Sequence, residues 1–164
     1  MRDLGGKVAV IAHCLLNVNT KVHGLGTYSA VHDEIPSLIE QGWALVQLPC
    51  PEATYLGMRR WGMTKEQYDS PGYRRHCRDI LRPTIDTLEE LSKDGCGPFV
   101  VLGIDGSPTC GVTRTCVGWT GGEPVGAGEH DSAVEAPERG IMIEELAAEL
   151  SARGLEVSWR GIDE

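Results

Sequence analysis

No Cys-x-x-Cys pair occurs in this chain of 164 residues, although it holds six cysteines. That absence removes the zinc-ribbon and thioredoxin-type readings. No stretch approaches the roughly 20 apolar residues needed to span a bilayer. The five-residue apolar run after Met1–Gly6 is too short for a signal peptide's hydrophobic region. Positive charge is scarce too: the formal net charge is −9, which argues against general attraction to nucleic-acid phosphates. The expectation is a cytoplasmic protein, a monomer or small homo-oligomer, with neither a membrane nor a nucleic-acid polymer as partner. In that compartment six thiols do not read as three disulfides. Metal binding, catalysis and burial are left for each, and the ligand left to consider is a small uncharged or cationic molecule, or a single base-like one.

What is present is an alternation of strands and helices. At 41% hydrophobic and 24% charged, the chain suits one domain over residues 1–164 with a single core. Apolar runs at Val8–Ala12, Trp43–Leu48 and Phe99–Gly103 read as strands, and Leu155–Trp159 as a closing fourth. Thr27–Gln41 reads as a helix stopped by Gly42, and Arg139–Arg153 as another stopped by Gly154. Ser70-Pro71 opens a long helix that keeps an apolar stripe to Gly95, with a kink expected at Pro83. Such units predict an α/β fold with a parallel or mostly parallel sheet of about four or five strands and helices on both faces. The Gly- and Thr-rich stretch 112–137 has weak periodicity, and Gly121–Gly128 reads as a flap or hairpin. Neither it nor Gly24-Leu25-Gly26 has the spacing of a phosphate-binding loop. Asp105 resembles a ribose-binding acid in position, but no dinucleotide fingerprint accompanies it.

Three cysteines sit just past the first three strands: His13-Cys14-Leu15-Leu16, Pro49-Cys50-Pro51-Glu52 and Ser107-Pro108-Thr109-Cys110-Gly111. Ligands in open α/β sheets bind outside the carboxyl ends of the strands, so the three thiols are placed to converge. Soft thiolates select zinc, copper(I) or iron–sulfur clusters, and three ligands leave a coordination position open for substrate or water. His13, read as a strand residue, points away from Cys14. Cys77 lies on the apolar stripe of its helix and Cys96 follows a helix stop, so both read as packing residues. Cys116 is the best candidate for a fourth ligand. Glu52 is a solvated loop carboxylate, a helix-capping partner, or a general acid or base, and Ser107 either a turn residue or a hydroxyl facing the same cavity. Asn17, Asn19 and Lys21 form a polar loop suited to reading the edge of a heterocycle.

In this order and at strand ends, the Cys-Leu-Leu, Cys-Pro-Glu and Ser-Pro-Thr-Cys-Gly motifs resemble the 2-thiouracil desulfidase family, over roughly residues 7 to 118. The resemblance implies a Rossmann-like three-layer domain holding a 4Fe–4S cluster on Cys14, Cys50 and Cys110, with one iron not ligated by protein. It implies Glu52 and Ser107 as catalytic residues in hydrolytic removal of sulfur from a small thiolated compound such as a thiopyrimidine, released as sulfide. Departures lie in the loops: Asn17–His23 and Ala53–Gly62 differ from the family's usual glycine- and Pro-Thr-Pro-Arg-containing stretches, and Thr109 replaces a common serine. A related subgroup with its own substrate is the expectation. A non-catalytic iron–sulfur or sulfide-handling protein is the alternative, although it needs neither Glu52 nor Ser107. A plain binding domain with packed cysteines is the third reading.

Overall fold

A computed structural model describes residues 6–122 and 133–164. Four strands, β1 (Val8–Ile11), β2 (Ala44–Gln47), β3 (Phe99–Ile104) and β6 (Ser158–Ile162), form one sheet in the order β2-β1-β3-β6. Every pairing in it is parallel, as alternating strand–helix units require. The central strands β1 and β3 are buried along nearly their whole length, whereas the edge strands β2 and β6 are partly exposed. Continuous apolar runs belong in the centre of such a sheet, where helices cover both faces.

The helices are α1 (His13–Leu16), α2 (Glu34–Glu40), α3 (Pro51–Leu56), α4 (Lys65–Tyr68), α5 (Pro71–Lys93) and α6 (Ile141–Ala152), with a 3₁₀ turn at Val18–Thr20. From β1 the chain first steps to β2 and then crosses back over β1 to β3 and outward to β6. With right-handed crossovers, α2 covers one face while α5 and α6 pack together on the other. The result is a Rossmann-like three-layer α/β domain with all strands of this sheet parallel, in which the order of strand addition reverses between β1 and β3. Leu81, Ile85, Leu88, Ile141, Leu146 and Leu150 fill the core between α5, α6 and the sheet. Among the described residues, no helix is long and apolar enough to cross a membrane.

Several elements differ from the sequence expectation. The helix expected from Thr27 begins only at Glu34, because Pro36 lacks the N–H that an interior position needs and is tolerated only in a first turn. Residues before it are bonded elsewhere: His32 N–H donates to Leu15 O at 2.8 Å and Val18 N–H to Ala30 O at 3.0 Å. Ala30 takes a left-handed φ of 59° to allow this. His13 is in a helical turn rather than a strand, and its Nδ1 lies 3.0 Å from Leu48 O. The long helix α5 runs unbroken through Pro83, carried by its buried Cys77, Leu81, Ile85 and Leu88. The last strand comes three residues later than expected, at Ser158 rather than Leu155. Within the weakly periodic stretch, β4 (Thr115–Val117) pairs antiparallel with β5 (Val134–Ala136). Residues 123–128 of the expected flap and residues 1–5 of the N-terminus lie outside the described residues.

Candidate active site

The three strand-end motifs meet at one cleft of ≈ 710 Å³, whose walls include Cys14, Cys50, Glu52, Ser107 and Cys110. Each motif owes its position to local backbone chemistry. Cys14 sits in the first turn of α1, directly after the buried β1, and its carbonyl accepts the Tyr28 hydroxyl at 2.8 Å. Cys50 caps α3: its Sγ accepts the Ala53 N–H at 3.4 Å, with Pro51 at the first helical position, where a missing N–H costs nothing. Ser107 organises the third motif, its Oγ accepting the N–H groups of Thr109 (3.3 Å) and Cys110 (3.0 Å). The start of α6 then seats beneath this loop, as Ile141 N–H donates to Pro108 O and Met142 N–H to Thr109 O. Two glycines permit the closeness: a Cβ at Gly103 would overlap the Cys110 carbonyl, and one at Gly140 would overlap Thr109.

Burial raises the pKa of all three thiols. Cys14 is pushed up to about 12, by desolvation first and then by the neighbouring Cys50, with Lys21 acting in the opposite sense. Cys50 is raised by burial against the Ala53 N–H and Arg60. Cys110, buried at the cleft wall, is raised by desolvation and then by Cys14 and Cys50. A nucleophilic cysteine needs the reverse, a lowered value and some exposure. Three raised thiols that feel one another suit metal ligation, where the metal displaces the proton outright. They are not grouped as ligands of a single ion among the described residues, where a Zn–S distance of 2.3 Å would bring sulfurs to roughly 3.8 Å of each other. An iron–sulfur cluster takes each thiolate on a separate iron, so the soft, dispersed donor set fits a cluster.

Beside the thiols lies a buried polar network. Glu52 is only 8% exposed, Arg60 7% and Thr109 1%. Arg60 Nε donates to Glu52 Oε2 at 2.8 Å, and the Thr109 hydroxyl donates to Oε1 at 2.8 Å. Ser107 Oγ stands 3.4 Å from Thr109 Oγ1. Thr109 has one proton and places it on the closer, charged acceptor, so Ser107 is the donor in that second contact. The hydroxyls thus form an oriented chain from Ser107 through Thr109 to Glu52. Burial lowers the affinity of Arg60 for its proton, but Glu52 and Cys50 outweigh it and the net direction is upward.

The solvated-loop reading of Glu52 does not match its burial. Of the polar loop, only Lys21 reaches the cleft, paired with Glu164 and stacked 5.4 Å over Tyr28. Asn17 and Asn19 fall outside the lining and bond each other, Asn17 Oδ1 accepting the Asn19 backbone N–H and Nδ2 at 3.2 and 3.0 Å. Cys116 lines the cleft, but its charged neighbours are Glu66 and Glu135 rather than the three thiols. Cys77 is core, as its helical stripe predicts. Asp105 is spent on its own loop, accepting the N–H groups of Val112 and Thr113 at 2.9 Å. Sequence reasoning missed Arg60, Tyr28 and the linking role of Thr109. Arg60 is eight residues from its partner in an irregular segment, and no periodicity marks it.

The family model described as "Putative 2-thiouracil desulfurase" matches residues 6–129. The chain belongs to that family. This 2-thiouracil desulfurase match spans the strand-end cysteines, Glu52 and Ser107. An uncharacterized protein of Methanocaldococcus jannaschii is 39% identical over 111 residues, covering 67% of this chain and 70% of that protein. The solved structure of the 4Fe–4S-dependent thiouracil desulfidase TudS covers 93% of this chain and 90% of its own, with a TM-score of 0.54. At 18% identity that likeness establishes the shared fold.

Proposed function

We propose that this protein is an iron–sulfur desulfidase that hydrolyses a small thiolated heterocycle, replacing its C–S group by C–O and releasing sulfide. Cys14, Cys50 and Cys110 would hold a 4Fe–4S cluster, leaving one iron without a protein ligand. The observation that carries this reading is the convergence of three thiols, one buried and two half-buried, on the cleft that also receives the buried Glu52 carboxylate. When bound, such a cluster supplies a Lewis acid for the sulfur of the substrate.

The remaining chemistry belongs to the chain. Glu52, held by Arg60 and Thr109, is the base for the water that attacks the sulfur-bearing carbon. Ser107 and Thr109 carry protons along their hydroxyl chain. Water supplies the oxygen and both protons of the departing sulfide, so the reaction needs neither oxidant nor reductant. A carrier or sensor has no use for a buried carboxylate gripped on both oxygens beside the thiols, which favours the enzyme.

Anaerobic reconstitution of the full chain tests the reading. Broad absorption near 400 nm with about four irons per chain, the complement of a 4Fe–4S cluster, should accompany sulfide release from 2-thiouracil or thiouridine. Glu52→Ala should keep the iron and lose at least about 10²-fold in turnover, the scale of general acid–base catalysis. A colourless, iron-free product would sink the cluster assignment, and normal turnover in Glu52→Ala would sink that of the base.

A further inference from the structure

Arg60 sits where the three cysteine-bearing segments are tied together. Its Nε binds Glu52 Oε2 at 2.8 Å, and its Nη2 donates to the Thr20 carbonyl at 2.8 Å and lies 3.9 Å from Cys50 Sγ. Thr20 closes the 3₁₀ turn that follows the Cys14 helix. Glu52 in turn accepts from Thr109, whose Oγ1 is 3.6 Å from Cys110 Sγ. One guanidinium therefore joins the Cys14 loop to the Cys50 helix directly, and reaches the Cys110 loop through Glu52.

The Arg60 side chain is only 3% exposed, and its buried Nη1 has no hydrogen-bond partner among the described residues. Burying a cation with a donor unmet is unfavourable, and an apolar side chain of similar length would pack there at lower cost. What arginine adds is a rigid planar fork of donors that fixes the plane of a carboxylate, together with a positive charge beside a thiolate. The neighbouring Arg59 is exposed to solvent.

We propose that Arg60 is the positioning residue of this site: it orients the Glu52 carboxylate and locks the Cys14 loop onto the Cys50 helix. The inference rests on the desulfidase reading for its kinetic consequence, while its geometric consequence stands on the chain alone. Acting through the Glu52 carboxylate that it orients, Arg60 should on its loss lower turnover rather than substrate affinity.

The test compares Arg60→Met, Arg60→Lys and the control Arg59→Met in the reconstituted full chain, with 2-thiouracil as substrate. Expected are an about 100-fold lower kcat for Arg60→Met with KM within threefold, the scale of one misplaced catalytic group, an intermediate kcat for Arg60→Lys, and no change for Arg59→Met. The cluster midpoint potential should fall in Arg60→Met, because a cation beside Cys50 is lost, and stay near the wild-type value in Arg60→Lys. Amide exchange of the iron-free proteins gives the independent arm: residues 18–21 and 51–56 should exchange faster in Arg60→Met than in the wild type. Unchanged exchange in both segments overturns the assignment, as does a kcat within threefold of wild type or a loss confined to KM. If Arg60→Met does not fold, Arg60→Lys decides: an intermediate kcat supports the role and a wild-type kcat overturns it. A wild-type protein that releases no sulfide from any thiolated base defeats the desulfidase reading, and the exchange comparison still decides whether Arg60 holds the loops.

Discussion

The Thr109 hydroxyl stands between the two side chains on which the proposed chemistry depends. It donates to Glu52 at 2.8 Å and receives Ser107 from 3.4 Å, while its residue is 1% exposed. Thr109→Val keeps the shape and removes the link, so kcat should fall about 10–100-fold, within the range of lost acid–base assistance, with iron content unchanged. Thr109→Ser should return to within threefold of the wild type. Steady-state sulfide release checks both, and a Thr109→Val enzyme with full kcat would remove the hydroxyl chain from the mechanism. The sequence marks Cys14, Cys50, Cys110, Glu52 and Ser107 by their motifs, since each is adjacent to a turn or helix start with recognisable chemistry. Arg60 has no such local signature. It matters only because the segment after α3 folds it back across the floor of the cleft.

At the scale of elements, the loop between β3 and β4 carries Ser107, Thr109 and Cys110, and Asp105 holds its far side. Asp105 accepts the Val112 and Thr113 N–H groups, and the Thr113 hydroxyl as well. Burial pushes the Asp105 carboxyl up, but these donors outweigh it and the net direction is downward. A carboxyl whose value is lower folded than unfolded stabilises the protein above its unfolded value, about 3.9, and loses that contribution as pH falls through the folded value. Asp105→Ala should therefore cost about 2 kcal/mol at neutral pH, the scale of charged hydrogen bonds lost with their donors left unmet. The gap should narrow progressively once the pH drops below about 4. Urea unfolding of both proteins across that range checks it, and a gap independent of pH would contradict this role. Strand and helix order was legible in the sequence because periodicity and Gly or Pro punctuation are local. The start of β6 was not, because pairing with β3 sets it, and the start of α2 lies later than the sequence reading puts it, although Pro36 marks it locally.

For the molecule as a whole, a cluster bound only by the folded state couples cofactor to stability. Occupancy a hundredfold above the dissociation constant contributes about 2.7 kcal/mol, so the loaded protein should melt about 5–10 °C above the stripped one. Alkylation followed by mass spectrometry gives the matching map. Cys14 and Cys50, both half-buried, should be protected when iron is present and modified when it is removed, whereas Cys116 should be modified in both states. Protection of Cys116 alongside them would make it a fourth ligand. From sequence alone came the α/β class, the parallel sheet and the placement of three cysteine motifs at strand ends, because hydrophobic period and turn residues act over a few positions. Tertiary structure alone decided that Glu52 is buried rather than solvated, that Arg60 and Thr109 grip it, and that Lys21 rather than Asn17 or Asn19 faces the cleft. Those outcomes depend on contacts between residues far apart in the chain, formed only when β1, β2 and β3 lie side by side.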